Sequence, residues 1–117
     1  MKKIEINVNE ICKFAISEEK GLILRKNLED NINTNDEVVV NFEGISMFTT
    51  PFFNASLGFL ILKYGPDKFD EKVKVVGLED MGKETYAHSR ENAIEFYSNK
   101  IDPQKVGQIV SNNLAGN

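Results

Sequence analysis

Hydroxyl groups gather at one point of this 117-residue chain, at Ser46, Thr49 and Thr50, with Pro51 and the pair Phe52-Phe53 directly after them. A hydroxyl at a helix start offers two chemistries. It can accept a backbone N–H as a cap, or it can take a phosphoryl group whose charge complements the helix dipole. Proline disfavours the α conformation in the residue before it and suits the first helical position, which assigns Thr50 as N-cap and Pro51 as N1. Thr50 would then accept the amide near Phe53, a bond worth about 1 kcal/mol. Phosphate at the same place would set a charge of about −2 beside Phe48, Phe52 and Phe53 and disrupt any apolar docking surface there. Both readings of Thr50 stay open.

Other reactive constellations are sparse. His88 is the sole histidine and Cys12 the sole cysteine, which removes two-histidine metal sites, an internal disulfide and most hydrolytic triads. Between Ile11 and Phe14, Cys12 reads as a buried inert thiol in a reducing cytosol. Glu79, Asp80 and Glu84 cluster at a helix start, where acidic residues belong on dipole grounds as readily as for acid/base work. No glycine-rich phosphate loop occurs. The expectation is a protein that is not an enzyme and holds no metal and no cofactor. Its net charge of −4, from 14 basic and 18 acidic residues in mixed sign, supplies no basic face for nucleic acid. No apolar run is long enough for a signal peptide or membrane span, so the expected location is cytoplasmic, with no membrane partner.

The elements that must position these residues follow from periodicity. Ile4, Ile6 and Val8 alternate with polar residues as a first strand, which Ile11 to Ile16 is a candidate to extend. Ser17 caps a helix with Glu18 and Glu19 in its first turn and Leu24, Leu28 and Ile32 at period four, ending near Asn33. Gly21 lies inside this pattern, where glycine costs about 1 kcal/mol against alanine. Val38 to Phe42 read as a strand apolar on both faces and therefore central. A second, strongly apolar helix follows, stopped by Gly65-Pro66-Asp67. Lys72 to Val76 form another strand, and Gly77-Leu78-Glu79-Asp80 turn into a third helix from about Gly82 to Ser98, with Tyr86, Arg90, Ala93, Ile94 and Tyr97 on one side. Asp102-Pro103 start a last helix carrying Val106, Ile109, Val110 and Leu114. No linker or repeat divides the chain, so residues 1–117 are expected to form one α/β domain with parallel central strands.

The stretch from Val39-Val40-Asn41-Phe42-Glu43-Gly44 through Ile45-Ser46-Met47-Phe48-Thr49-Thr50-Pro51-Phe52 to Leu57-Gly58 resembles the strand, turn and helix start of STAS domains. That family includes sulfate transporter tails and bacterial anti-sigma factor antagonists, and the similarity is closer to its STAS-like branch of unassigned function. The resemblance implies a four- or five-stranded mixed sheet with about four helices, mainly on one face, and a regulatory role in partner switching. In the antagonists, a serine in an Asp-Ser-Ser-Gly motif at the second helix is phosphorylated by a partner kinase. On this chain Thr49 takes the acid's position, Thr50 the phosphoacceptor's, Pro51 that of the second serine and Phe52 that of the glycine. The acid is thus missing, the glycine is a bulky phenylalanine, and Asn41 stands where antagonists often carry aspartate.

The helix after Pro51 has more apolar circumference than one core face needs. Phe52, Ser56, Phe59 and Lys63 are therefore candidates for the rim of an interaction surface, with either a second copy or another protein, such as a kinase-like ATPase or a regulator. Burial of the extra stripe by the C-terminal helix is the competing reading. The alternative function is small-ligand or nucleotide binding in a strand-end pocket between the loops 44–50 and 77–82, with Gly44, Ser46 and Asp80 as candidate lining.

Overall fold

In a computed structural model, which describes residues 2–100, three strands form one sheet in the order β1 (Lys3–Asn7), β2 (Glu37–Asn41), β3 (Val73–Val76). Both pairings are parallel, with Ile4 beside Val38 and Val38 beside Val73. Each strand must therefore reach the next through a helical crossover. α1 (Glu18–Ile32) makes the first; α2 (Thr50–Phe53), a π-helical turn (Asn54–Gly58), α3 (Phe59–Tyr64) and α4 (Pro66–Lys72) make the second. α5 (Asp80–Lys100) closes the layer.

The sheet departs from the four- or five-stranded mixed arrangement expected, since only three strands, all parallel, occur among the described residues. Ile11 to Ile16 contribute no strand. Val8–Glu10 turn as a 3-10 helix, and the segment beyond forms a single isolated parallel bridge, from Ala15 to Phe48. Gly65-Pro66-Asp67, expected only as a stop, also starts α4: proline fits the first turn and Asp67 complements the dipole. The helix expected beyond Asp102 lies outside the described residues.

β2 is the middle strand, and alternation sorts its side chains. Val38 and Val40 join Ile4, Ile6, Val73 and Val75 against the helices, in a core continuous with Leu24, Leu28, Phe42, Phe52, Phe53, Leu57, Leu60 and Ile61. Val39 points to the other face, where its register neighbours are Glu5 and Lys74. It is 7% exposed without belonging to that core. All three valines of β2 are buried, as a central strand requires, while the positions around Val39 on the second face are largely polar, with Lys3 and Glu37 paired across it at 3.3 Å.

Close approach joins the helices. A Cβ on Gly21 would sit 2.6 Å from the Phe52 carbonyl oxygen and 2.9 Å from Ala55, and one on Gly58 would sit 2.9 Å from Ser89 Oγ. α1 and α5 thus grip the rod 50–64 from two sides, at positions where any side chain would force a neighbour to shift. The π turn lies between these grips, with Ser56 Oγ donating to the Phe52 carbonyl at 2.8 Å and Ser89 Oγ donating to Asn54 Oδ1 at 2.6 Å.

Candidate functional site

The carboxyl ends of β1 and β2 feed two loops that zip together above the sheet. Ala15 N–H donates to the Met47 carbonyl at 2.9 Å, and Thr49 N–H donates to the Ala15 carbonyl at 3.0 Å. Thr49 Oγ1 donates to the Ile16 carbonyl at 2.7 Å. Extended segments alternate their side chains. With Ala15 and Phe48 turned inward, Phe14, Ile16 and Met47 are left 45%, 42% and 49% exposed.

Phe48 is the nail of this arrangement. Its ring stacks on Phe53 at 5.9 Å and 7°, tilts against Phe42 at 6.2 Å, and reaches so close to α5 that a Cβ on Gly82 would lie 2.9 Å from it. Phe53 in turn packs on Tyr86 at 5.4 Å. The space between the two strand-end loops is therefore filled by an aromatic side chain. Gly44, Ser46 and Asp80, the candidate pocket residues, are all exposed, and none lines the cavities of 240 to 410 Å³ found among the described residues. Gly44 serves a turn instead. It adopts φ 90°, which favours glycine, while Asn41 Oδ1 accepts the Glu43 N–H at 2.9 Å.

The start of α2 lies one residue earlier than expected. Thr49 is extended at φ −135°, ψ 156° and occupies the N-cap position, which makes Thr50 the first helical residue and Pro51 the second. Neither hydroxyl caps the helix: Thr49 Oγ1 is drawn across to Ile16, and the Phe53 amide meets the Thr49 carbonyl at 3.4 Å. The Thr50 hydroxyl, expected as the cap, has no hydrogen-bond partner among the described residues and is half-buried.

The expected interaction rim divides. Phe52 and Ser56 are fully buried, a correction to their place on it, because Gly21 lets α1 close over this side of the rod. Phe59 stays 37% exposed, with the Arg25 guanidinium 4.2 Å over its ring, and Lys63 Nζ bonds Glu29 Oε2 at 2.6 Å. The Glu29 bond raises the Lys63 ammonium above its usual range. Both side chains thus already have partners on α1. Phe14 and Ile16 were absent from the expected surface; their signal in the sequence was an apolar alternation too short for a strand.

The titratable groups do not converge. Burial pushes the Cys12 thiol up, with Lys20 opposing, so the reactive thiolate is disfavoured. Burial likewise raises the Tyr86 phenol, opposed by its hydrogen bond with Arg90. Arg90 is raised chiefly by the two hydrogen bonds it donates to the Asp70 carboxylate, at 2.8 and 2.5 Å. His88, Glu79, Asp80 and Glu84 are exposed on α5 and before it. Among the described residues no group of three or more His, Cys, Asp or Glu side chains could hold a metal ion, and no helix is long and apolar enough to cross a membrane.

A family model described as a STAS-like domain of unknown function (DUF4325) matches residues 20–83, from α1 to the first turn of α5. No curated protein and no solved structure matches the chain.

Proposed function

The chain belongs to the STAS-like domains of unknown function, and from that premise we propose that it is a non-enzymatic regulatory module that binds another protein at the start of α2. The observation that carries this reading is the exposure of Phe14, Ile16 and Met47 on two loops already locked by backbone bonds. Large apolar side chains held together at a surface favour a protein partner, and rigid presentation lowers the ordering cost of binding. Thr50 stands beside this patch as the candidate switch. Its hydroxyl bonds no group among the described residues, and phosphate on it would add about two negative charges next to the apolar contact and weaken docking.

Quantitative affinity purification from the native cytoplasm tests the reading with four baits. A specific partner should co-purify with the wild type and with Phe59→Glu, and be lost with Phe14→Glu/Met47→Glu and with Thr50→Glu. Circular dichroism of the baits must show the same fold. Equal recovery on the wild type and on Phe14→Glu/Met47→Glu would sink the proposal.

A further inference from the structure

We infer that the outer edge of β3 pairs with the same edge of a second copy of this chain, antiparallel, about a two-fold axis at Val75. The backbone geometry dictates which groups that edge presents. The Val76 carbonyl accepts the Phe42 N–H at 2.9 Å and so points to β2. Strand alternation then turns the carbonyl of Val73, both polar groups of Val75 and the N–H of Gly77 away from the sheet. β3 pairs only with β2 among the described residues. The Val73 N–H is already used, closing α4 onto the Phe69 carbonyl.

These outward groups complement themselves. With Val75 opposite Val75 of the second copy, the two residues exchange both of their bonds, and each Val73 carbonyl meets a Gly77 N–H. Two acceptors and two donors per copy are consumed with none left over. The neighbouring registers fail. Sliding one way sets Lys74 against Lys74, like charges directly opposed, and calls on the Val73 N–H that α4 holds. Sliding the other way needs an extended Gly77, whose φ of 78° turns its carbonyl off the ladder. In the matching register Lys74 faces Val76, which is exposed, so no like charges meet.

Among the described residues the edge is also more lightly guarded than that of β1. β1 carries Lys3 and Glu5 along its rim, the usual guard against edge pairing. β3 carries Val73, Val75 and Val76, and its one cation is drawn back, Lys74 Nζ bonding the Asp70 carbonyl at 2.5 Å. Beside it runs an open groove of about 350 Å³ lined by Phe69, Val73, Val75 and Tyr86, with Lys74 and the Asp70–Arg90 ion pair along its wall and room for the flank of an added strand.

Sedimentation of the full chain across the micromolar range tests the inference. The mass should rise from one chain of 13.2 kDa toward two with concentration. Val76→Lys, which opposes two lysine pairs by symmetry, should weaken dimerisation roughly tenfold, whereas Val76→Glu should strengthen it. Val75→Pro removes an outward N–H that no described residue of the same chain accepts, and should abolish dimerisation. In a Cys12→Ser background, Val75→Cys should cross-link to a disulfide dimer, since opposed residues of this type lie about 5.5 Å apart. A one-chain mass throughout overturns the inference. So does a dimer indifferent to Val75→Pro, or one weakened equally by lysine and glutamate at position 76.

Discussion

Gly21 shows how a single missing methyl group decides packing. In isolation, alanine in a helix interior is favoured over glycine by about 1 kcal/mol. A Cβ here, however, would stand 2.6 Å from the Phe52 carbonyl oxygen, a backbone atom fixed by its own helix. Forcing packed helices apart costs about 1–3 kcal/mol, so the clash outweighs the propensity gain. Gly21→Ala should therefore lower the unfolding free energy by about 1 kcal/mol, read as a drop in the urea midpoint at unchanged slope; a higher midpoint would show that α1 does not press on the rod. Tyr86 gives a pH-dependent counterpart. Burial raises its phenol above the unfolded value, so its contribution to stability is complete below about pH 10 and fades as pH climbs through the folded value. Urea titrations on either side of pH 10 should show the wild type losing more stability than Tyr86→Phe, and parallel losses would refute the assignment.

At the scale of elements, the loop pair above the sheet depends on Phe48. Removing a buried aromatic ring costs about 3–5 kcal/mol in a core. Phe48 sits at the rim, between loops and α5, so Phe48→Ala should fall at the lower end of that range. Its local signature should be larger: the Ala15 and Thr49 amides, held by the bridge, should exchange with solvent much faster while amides of β2 stay protected. Uniform acceleration would mean that the loops are not an independent unit. These elements were unequally legible in the sequence. Leu24, Leu28 and Ile32 announced α1 because their spacing repeats the helical period, and Ser17 caps it as its type suggests, accepting from Lys20 N–H at 3.1 Å. The valines of β2 announced a central strand. The filled strand-end pocket was hidden, because nothing local tells Phe48 whether to line a space or occupy it. The burial of Phe52 and Ser56 was hidden as well, since it depends on Gly21 more than thirty residues away. The π turn left no sequence mark; it exists where α1 and α5 both grip one rod.

Across residues 2–100, helices on one side and a largely polar sheet face on the other divide the surface into separate territories. The loop patch lies at the carboxyl ends of the strands and the β3 edge along the flank, so the two associations proposed need not compete. Surface ion pairs tie the helices at their rims, Lys63 to Glu29 between α3 and α1, and Arg90 to Asp70 between α5 and α4. Exposed pairs of this kind contribute little, which leaves cohesion to the buried aromatic and aliphatic cluster. The uniform direction of the three strands also governs how that cluster can arise. No hairpin joins any two of them, so a nascent chain has no two-stranded piece to lay down early. Every rung must wait for a helix to carry the chain back across the sheet, at the entropic expense of closing a long loop. The sheet can be completed only once residue 76 is free to arrive, which makes assembly late and cooperative rather than stepwise from the amino end.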